Sequence, residues 1–120
     1  MWAQVNPNSN GMFVGDCVVR ALAIALDKSW DKAYIELCIY GFIEGDMPSA
    51  NHVWGKLLED HGFVCDPIKG GRVKDIASQL KHGTFILATG AHVVTVIDGD
   101  YYDAWDSGDE IPTYIWRRKQ

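Results

Sequence analysis

Positive charge is scarce in this sequence. Eleven Lys and Arg are set against sixteen Asp and Glu, giving a net charge of −5 and a pI near 5.2. A protein that holds nucleic acid by neutralising phosphates needs the opposite balance, so no nucleic-acid partner is expected. The one basic cluster, Arg117-Arg118-Lys119, reads as a solvated tail. Long apolar runs are lacking too. No stretch approaches the roughly 18 apolar residues of a membrane helix, which predicts no membrane span. The opening segment Met1-Trp2-Ala3-Gln4-Val5-Asn6-Pro7 has no basic region followed by an apolar run, so no signal peptide is expected. Cysteine is sparse, with three residues and no CxxC pair. That excludes a disulfide scaffold and a zinc ribbon, and a reducing cytoplasm fits better. The acids Asp98, Asp100, Asp109 and Glu110 do not match a calcium-loop spacing. No metal site and no cofactor is therefore expected.

What is present points to one packed domain spanning residues 1–120. Apolar residues make up 48 % of the chain and charged residues 22 %, a balance that favours a folded core over disorder. Five Trp, five Tyr and four Phe supply bulk for it. There is no internal repeat, linker or low-complexity segment.

The first half reads as helices. After a turn-rich loop over 6–16, Val18, Ala21, Leu22, Ala25 and Leu26 fall on one helical face, with Asp16 as N-cap and Cys17 at the first helical position. Ser29 caps a second helix carrying Trp30, Ala33, Tyr34, Leu37 and Cys38, with Gly41 as its stop. Ser49 caps a third, built on Val53, Trp54, Leu57 and Leu58 and stopped by Gly62. A short fourth spans 73–81. Strands follow at 84–88, 92–97, 101–106 and 111–117, with a short extra one at 63–65. Asp98-Gly99-Asp100 is a hairpin signal. Helices first and an antiparallel meander after predict an α+β fold.

Cys17 stands out because a helix N-terminus offers unpaired N–H groups and partial positive charge. Both favour a thiolate, the nucleophilic form. Cys38 and Cys65 lie in apolar surroundings and read as core. Among the histidines, His61 and His82 precede glycines at helix ends, and His52 sits in a solvated first turn. His92 differs: it opens the apolar strand Val93-Val94-Thr95-Val96-Ile97 after the small pair Gly90-Ala91. An imidazole fixed on a strand can serve as a base if an acid orients it. Hairpin register selects the acid. A three-residue loop at 98–100 sets His92 opposite Asp106, which is the preferred reading. A two-residue loop sets it opposite Trp105 and brings Asp103 onto the histidine's face instead.

The string Gly15-Asp16-Cys17-Val18-Val19-Arg20-Ala21-Leu22, followed by Ala91-His92-Val93-Val94 and a hairpin ending Asp103-Ala104-Trp105-Asp106, resembles the papain-like cysteine peptidase superfamily. The likeness is to its small bacterial and phage members, including peptidases that process bacteriocin leaders. The resemblance implies N-terminal helices packed on a C-terminal antiparallel sheet, with Cys17 as nucleophile, His92 as base and Asp106 as orienting acid. The chain order agrees, with 75 residues from Cys17 to His92 and 14 from His92 to Asp106. It further implies a cysteine hydrolase, a peptidase or amidase working through a thioester on a peptide or protein substrate. The family carries a Gln about six residues before the nucleophile that completes the oxyanion hole. Gly11 stands there in this chain, and Asn10 is the expected substitute, ahead of Asn8, Asn6 and Gln4. The alternative expectation is a catalytically inactive binding module on the same fold, such as a phage-encoded inhibitor of a host protein.

Overall fold

The computed structural model describes residues 1–119. Its elements run β1 (Trp2–Gln4), α1 (Cys17–Ala25), α2 (Trp30–Glu44), α3 (Asn51–Asp60), β2 (Phe63–Pro67), α4 (Val73–Gln79), β3 (Thr84–Ala88), β4 (Val93–Ile97), β5 (Asp100–Asp103) and β6 (Tyr114–Arg118). The α+β class is as expected. The six strands form one sheet in the order β1-β5-β4-β3-β6-β2.

The sheet is mixed, not purely antiparallel. β1 joins the edge parallel to β5, with Trp2 beside Tyr101 and Gln4 beside Asp103. At three residues it is too short to show a period in the sequence. Beyond β5, β4 and β3 the meander also breaks, because β6 returns to pair with β3 and carries β2 on its far side.

Strand alternation divides the core between the two faces of the sheet. On one face Ile86, Ala88, Val93 and Trp116 pack with α1, α2 and α3 around Leu22, Leu37, Val53, Leu57 and Leu58. On the other, Leu87, Val94, Val96 and Tyr101 pack with Val73 and Ala77 of α4. Coverage on both sides explains why β4 reads as an unbroken apolar run rather than an alternating one. Thr95 is its polar exception. It is fully buried and donates from Oγ1 to the Ala21 carbonyl at 2.8 Å, which ties β4 to α1.

Two helix boundaries differ from expectation for local reasons. α2 runs past Gly41 to end at Gly45, whose φ of 72° gives the left-handed stop. Gly41 is instead a contact point: a Cβ there would lie 2.9 Å from the Asp46 carbonyl, where the chain folds back over the helix. α3 starts after Ala50, with no capping bond from Ser49. Cys65, expected in the core, is exposed near the sheet edge.

The β4–β5 hairpin decides the position of the site. Asp98 and Gly99 both take positive φ, 50° and 92°, as a two-residue type I′ loop requires. Ile97 therefore pairs with Asp100 and Val96 with Tyr101. The three-residue loop preferred from the sequence is overturned, because Asp-Gly alone satisfies the turn.

Candidate active site

α1 begins with Cys17, and its first N–H groups have no intrahelical acceptor. Asp16 occupies the N-cap position but makes no capping bond. Its carboxylate turns inward, accepting from Arg20 Nη1 at 2.5 Å and from Trp30 Nε1 at 2.8 Å.

His92 lies just ahead of β4. The side chain of Thr89 shapes the approach, its Oγ1 accepting from the N–H groups of Ala91 at 3.0 Å and His92 at 2.8 Å. The imidazole and the Cys17 thiol line the same cleft and lie close enough for each to shift the other's ionisation. On its other side, Nε2 donates to Asp103 Oδ2 at 2.6 Å. With Nε2 committed to Asp103, Nδ1 is the nitrogen left for the thiol. Trp105 stacks at a tilt beside the ring, centroids 4.8 Å apart.

Asp103, not Asp106, is thus the acid on His92. The two-residue turn pairs Thr95 with Tyr102, so β5 ends at Asp103, whose carboxylate reaches the His92 ring just ahead of β4. Asp106 is exposed and accepts from the Tyr101 hydroxyl at 2.5 Å and from the Gly108 N–H at 3.0 Å. Its role is to close the turn after β5.

Asp103 is fully buried and saturated with donors. Oδ2 accepts from His92 and from Ser107 Oγ at 2.5 Å, while Oδ1 accepts from Arg20 Nη2 and the Ala104 N–H, both at 2.8 Å. Arg20, 5 % exposed, therefore spans two carboxylates. One belongs to the residue before the nucleophile and the other to the acid behind the histidine. The sequence reading passed over Arg20 and Ser107. The Asp16-to-Arg20 spacing of four on a helix was the available signal, but nothing local tells that the pair turns inward.

Electrostatics follow from these contacts. Burial alone would push the Cys17 thiol up from its usual 9.0. The hydrogen bond and charge of His92 outweigh burial, with help from the Val93 N–H and Arg20, and the thiol is held below that value. Burial opposes charge on His92, yet hydrogen bonds to Asp103 and Cys17, and their charges, push it up to about 9. Asp103 is penalised by burial but held below the usual carboxylate value by His92, Ser107 and Arg20. Each shift runs toward a thiolate–imidazolium–carboxylate arrangement and away from the neutral thiol and imidazole. Cys65 behaves oppositely: burial and the nearby Asp66 and Glu59 raise its thiol.

The half-buried sulfur opens onto a cleft of about 470 Å3. Exposed Phe13, Val14 and Trp105 form its apolar rim, and Asn6 borders it on the side preceding α1. Asn10, the expected oxyanion donor, is not part of this cleft. It lies in a separate hollow beside Trp30 and Asp31, its N–H held by the Asn8 side chain at 2.9 Å. Asn6 lines the cleft instead. Its Nδ2 donates to the Met12 carbonyl at 3.3 Å, which leaves the second amide hydrogen free of that bond.

No helix among the described residues is long and apolar enough to cross a membrane. No protein-family model, curated protein or solved structure matches the chain.

Proposed function

We propose that this chain is a papain-like cysteine hydrolase that cleaves an amide bond in a peptide or protein through a thioester. The observation that carries this reading is the half-buried Cys17 facing the same cleft as His92, whose imidazole is held from behind by the buried Asp103. The nucleophile at a helix start, the imidazole ahead of a strand and the chain order Cys, His, Asp support the papain-like assignment.

The chemistry balances within these groups. The Cys17 thiolate attacks the carbonyl carbon, and negative charge moves to its oxygen. The Cys17 N–H, at the helix start, and the Asn6 amide are the donors for that oxyanion. The imidazolium of His92 gives its proton to the leaving amine as the carbon–nitrogen bond breaks, leaving a thioester on Cys17. His92 then takes a proton from water. The hydroxide equivalent attacks the thioester, the acid product leaves, and the thiolate–imidazolium pair is restored.

Treatment with an epoxide thiol probe, followed by mass spectrometry, tests the reading. Cys17 is expected to label ahead of Cys38 and Cys65. An ordinary thiol loses about tenfold in rate for each pH unit below its pKa, whereas Cys17 should hold its rate to lower pH than Cys65, whose thiol is shifted upward. Amide hydrolysis, which also needs the imidazolium, should decline above about 9, where His92 loses its proton. His92→Ala should remove both the selectivity and the acid-side plateau. Equal, slow labelling of all three cysteines would sink the proposal and favour an inactive binding module.

A second expectation separates the asparagines. Asn6→Ala should lower turnover by about 10²-fold with little change in KM, the signature of a lost oxyanion donor. Asn10→Ala should leave kcat near the wild-type value. The two variants are compared on any substrate found to turn over.

A further inference from the structure

A second cavity lies across the tip of the β3–β4 hairpin from the active-site cleft. It measures about 400 Å3, and its wall includes Trp54, Trp116, Tyr114 and Glu59. Thr89 and Gly90 border it, while Ala91 and His92 border the cleft. Neighbouring Cα atoms are about 3.8 Å apart, close to the advance per residue of an extended peptide. Gly90 adds no side chain to this divide, and a Cβ there would meet nothing within 4 Å. A polypeptide seated with its scissile carbonyl at Cys17 can therefore reach the second cavity with a nearby side chain.

The lining selects that side chain. Trp54 and Trp116 are 4 % and 8 % exposed, with ring centroids 5.7 Å apart, and half-exposed Tyr114 adds a third ring. Aromatic faces attract cations, and a planar guanidinium stacks on them as an ammonium cannot. Glu59 supplies the opposite charge. Its carboxylate is exposed and makes no ion pair among the described residues. It lies close enough to Cys65, in the same wall, to join burial and Asp66 in raising that thiol. The basic groups nearby are matched by other acids: His52 bonds Asp46 at 2.6 Å, Lys56 pairs with Asp60 at 3.1 Å, and Arg117 with Asp66 at 2.8 Å. One unmatched carboxylate is thus left on an aromatic pocket. We infer that this cavity receives an arginine side chain of the polypeptide that the cleft acts on, a role as substrate that rests on the hydrolase reading above.

Nuclear magnetic resonance on the intact chain tests the recognition without any catalysis. N-acetyl-arginine amide is expected to shift the indole N–H signals of Trp54 and Trp116. It should bind about fivefold more tightly than its neutral isostere N-acetyl-citrulline amide, the gain from one exposed ion pair and one cation–π contact. Glu59→Gln, an exposed change that leaves the fold intact, should narrow the gap to about twofold, the ring contact alone. Two dipeptide epoxides that differ only in arginine or citrulline test the link to the cleft. The arginine probe should alkylate Cys17 about fivefold faster, and Glu59→Gln should narrow that advantage in the same proportion without slowing the citrulline probe. Equal affinity for the two amides, or indole signals that stay in place, would overturn the inference. So would equal alkylation rates by the two epoxides in a chain whose Cys17 reacts. Arginine-selective binding beside a Cys17 inert to both epoxides would uphold the cavity's choice of arginine and overturn only the hydrolase reading.

Discussion

Replacing Arg20 with Leu should destabilise the fold by about 3–5 kcal/mol, the usual loss when one member of a buried ionic network is removed. Arg20 is 5 % exposed, and its guanidinium bridges Asp16 and Asp103, themselves 8 % and 0 % exposed. Leu fills part of the volume but leaves two buried carboxylates without their cation. Arg20→Lys should recover only part of the loss, because one ammonium cannot reproduce a planar fork spanning two acids. Urea unfolding followed by tryptophan fluorescence measures both. The pH dependence has a definite sign. Asp103 is held below its ordinary 3.8 in the folded protein, so its contribution is present above that value and fades as pH falls through the folded value. In Arg20→Leu that carboxyl moves upward, and protonation then relieves the fold. The stability gap between the two proteins should therefore narrow with acidification. A gap below about 1 kcal/mol at neutral pH, the range of an exposed pair, would mean the bridge does not hold the site together.

What the sequence revealed and what it hid divide along one line. Cys17 at a helix start and His92 at the mouth of a strand were legible, since each depends on local pattern: a run of apolar residues at helical spacing, and a β-rich run following two small residues. The four helices and the later strands were legible on the same ground. The choice between Asp103 and Asp106 was not, because it depends on whether a turn closes with two residues or three. Asp-Gly at positive φ settles that in three dimensions. Asn6 against Asn10 was hidden for a related reason. Both lie in a loop without period, and only its course past the start of α1 decides which one borders the cleft. Arg20 shows the same limit in the core. Its helix position was clear, but its two partners lie four and 83 residues away. β1 was missed because three residues gain strand character only from the neighbour they join.

The last prediction concerns the acid itself. Asp103→Ala should lower kcat/KM by about 10²–10⁴-fold, the range associated with a positioned acid–base group. Asp106→Ala should leave it close to wild type. The reasoning is geometric: Asp103 holds the imidazole through a 2.6 Å bond to Nε2, whereas Asp106 engages Tyr101 on the far side of the turn. Removing Asp103 also leaves Arg20 with one partner, so a loss of folding must be told apart from a loss of orientation. Asp103→Asn does this, since it keeps the shape and can still accept from Arg20. With the anion gone, His92 loses the partner that most favours its charged form and should titrate below about 9. The alkaline limb of hydrolysis then moves to lower pH. The Cys17 thiol, deprived of part of the imidazolium's support, needs higher pH to ionise, and the labelling plateau recedes. Both limbs closing inward in a protein that still unfolds cooperatively is a result no general destabilisation produces. Unchanged limbs in Asp103→Asn, or an equal loss of turnover in Asp106→Ala, would remove Asp103 from the relay.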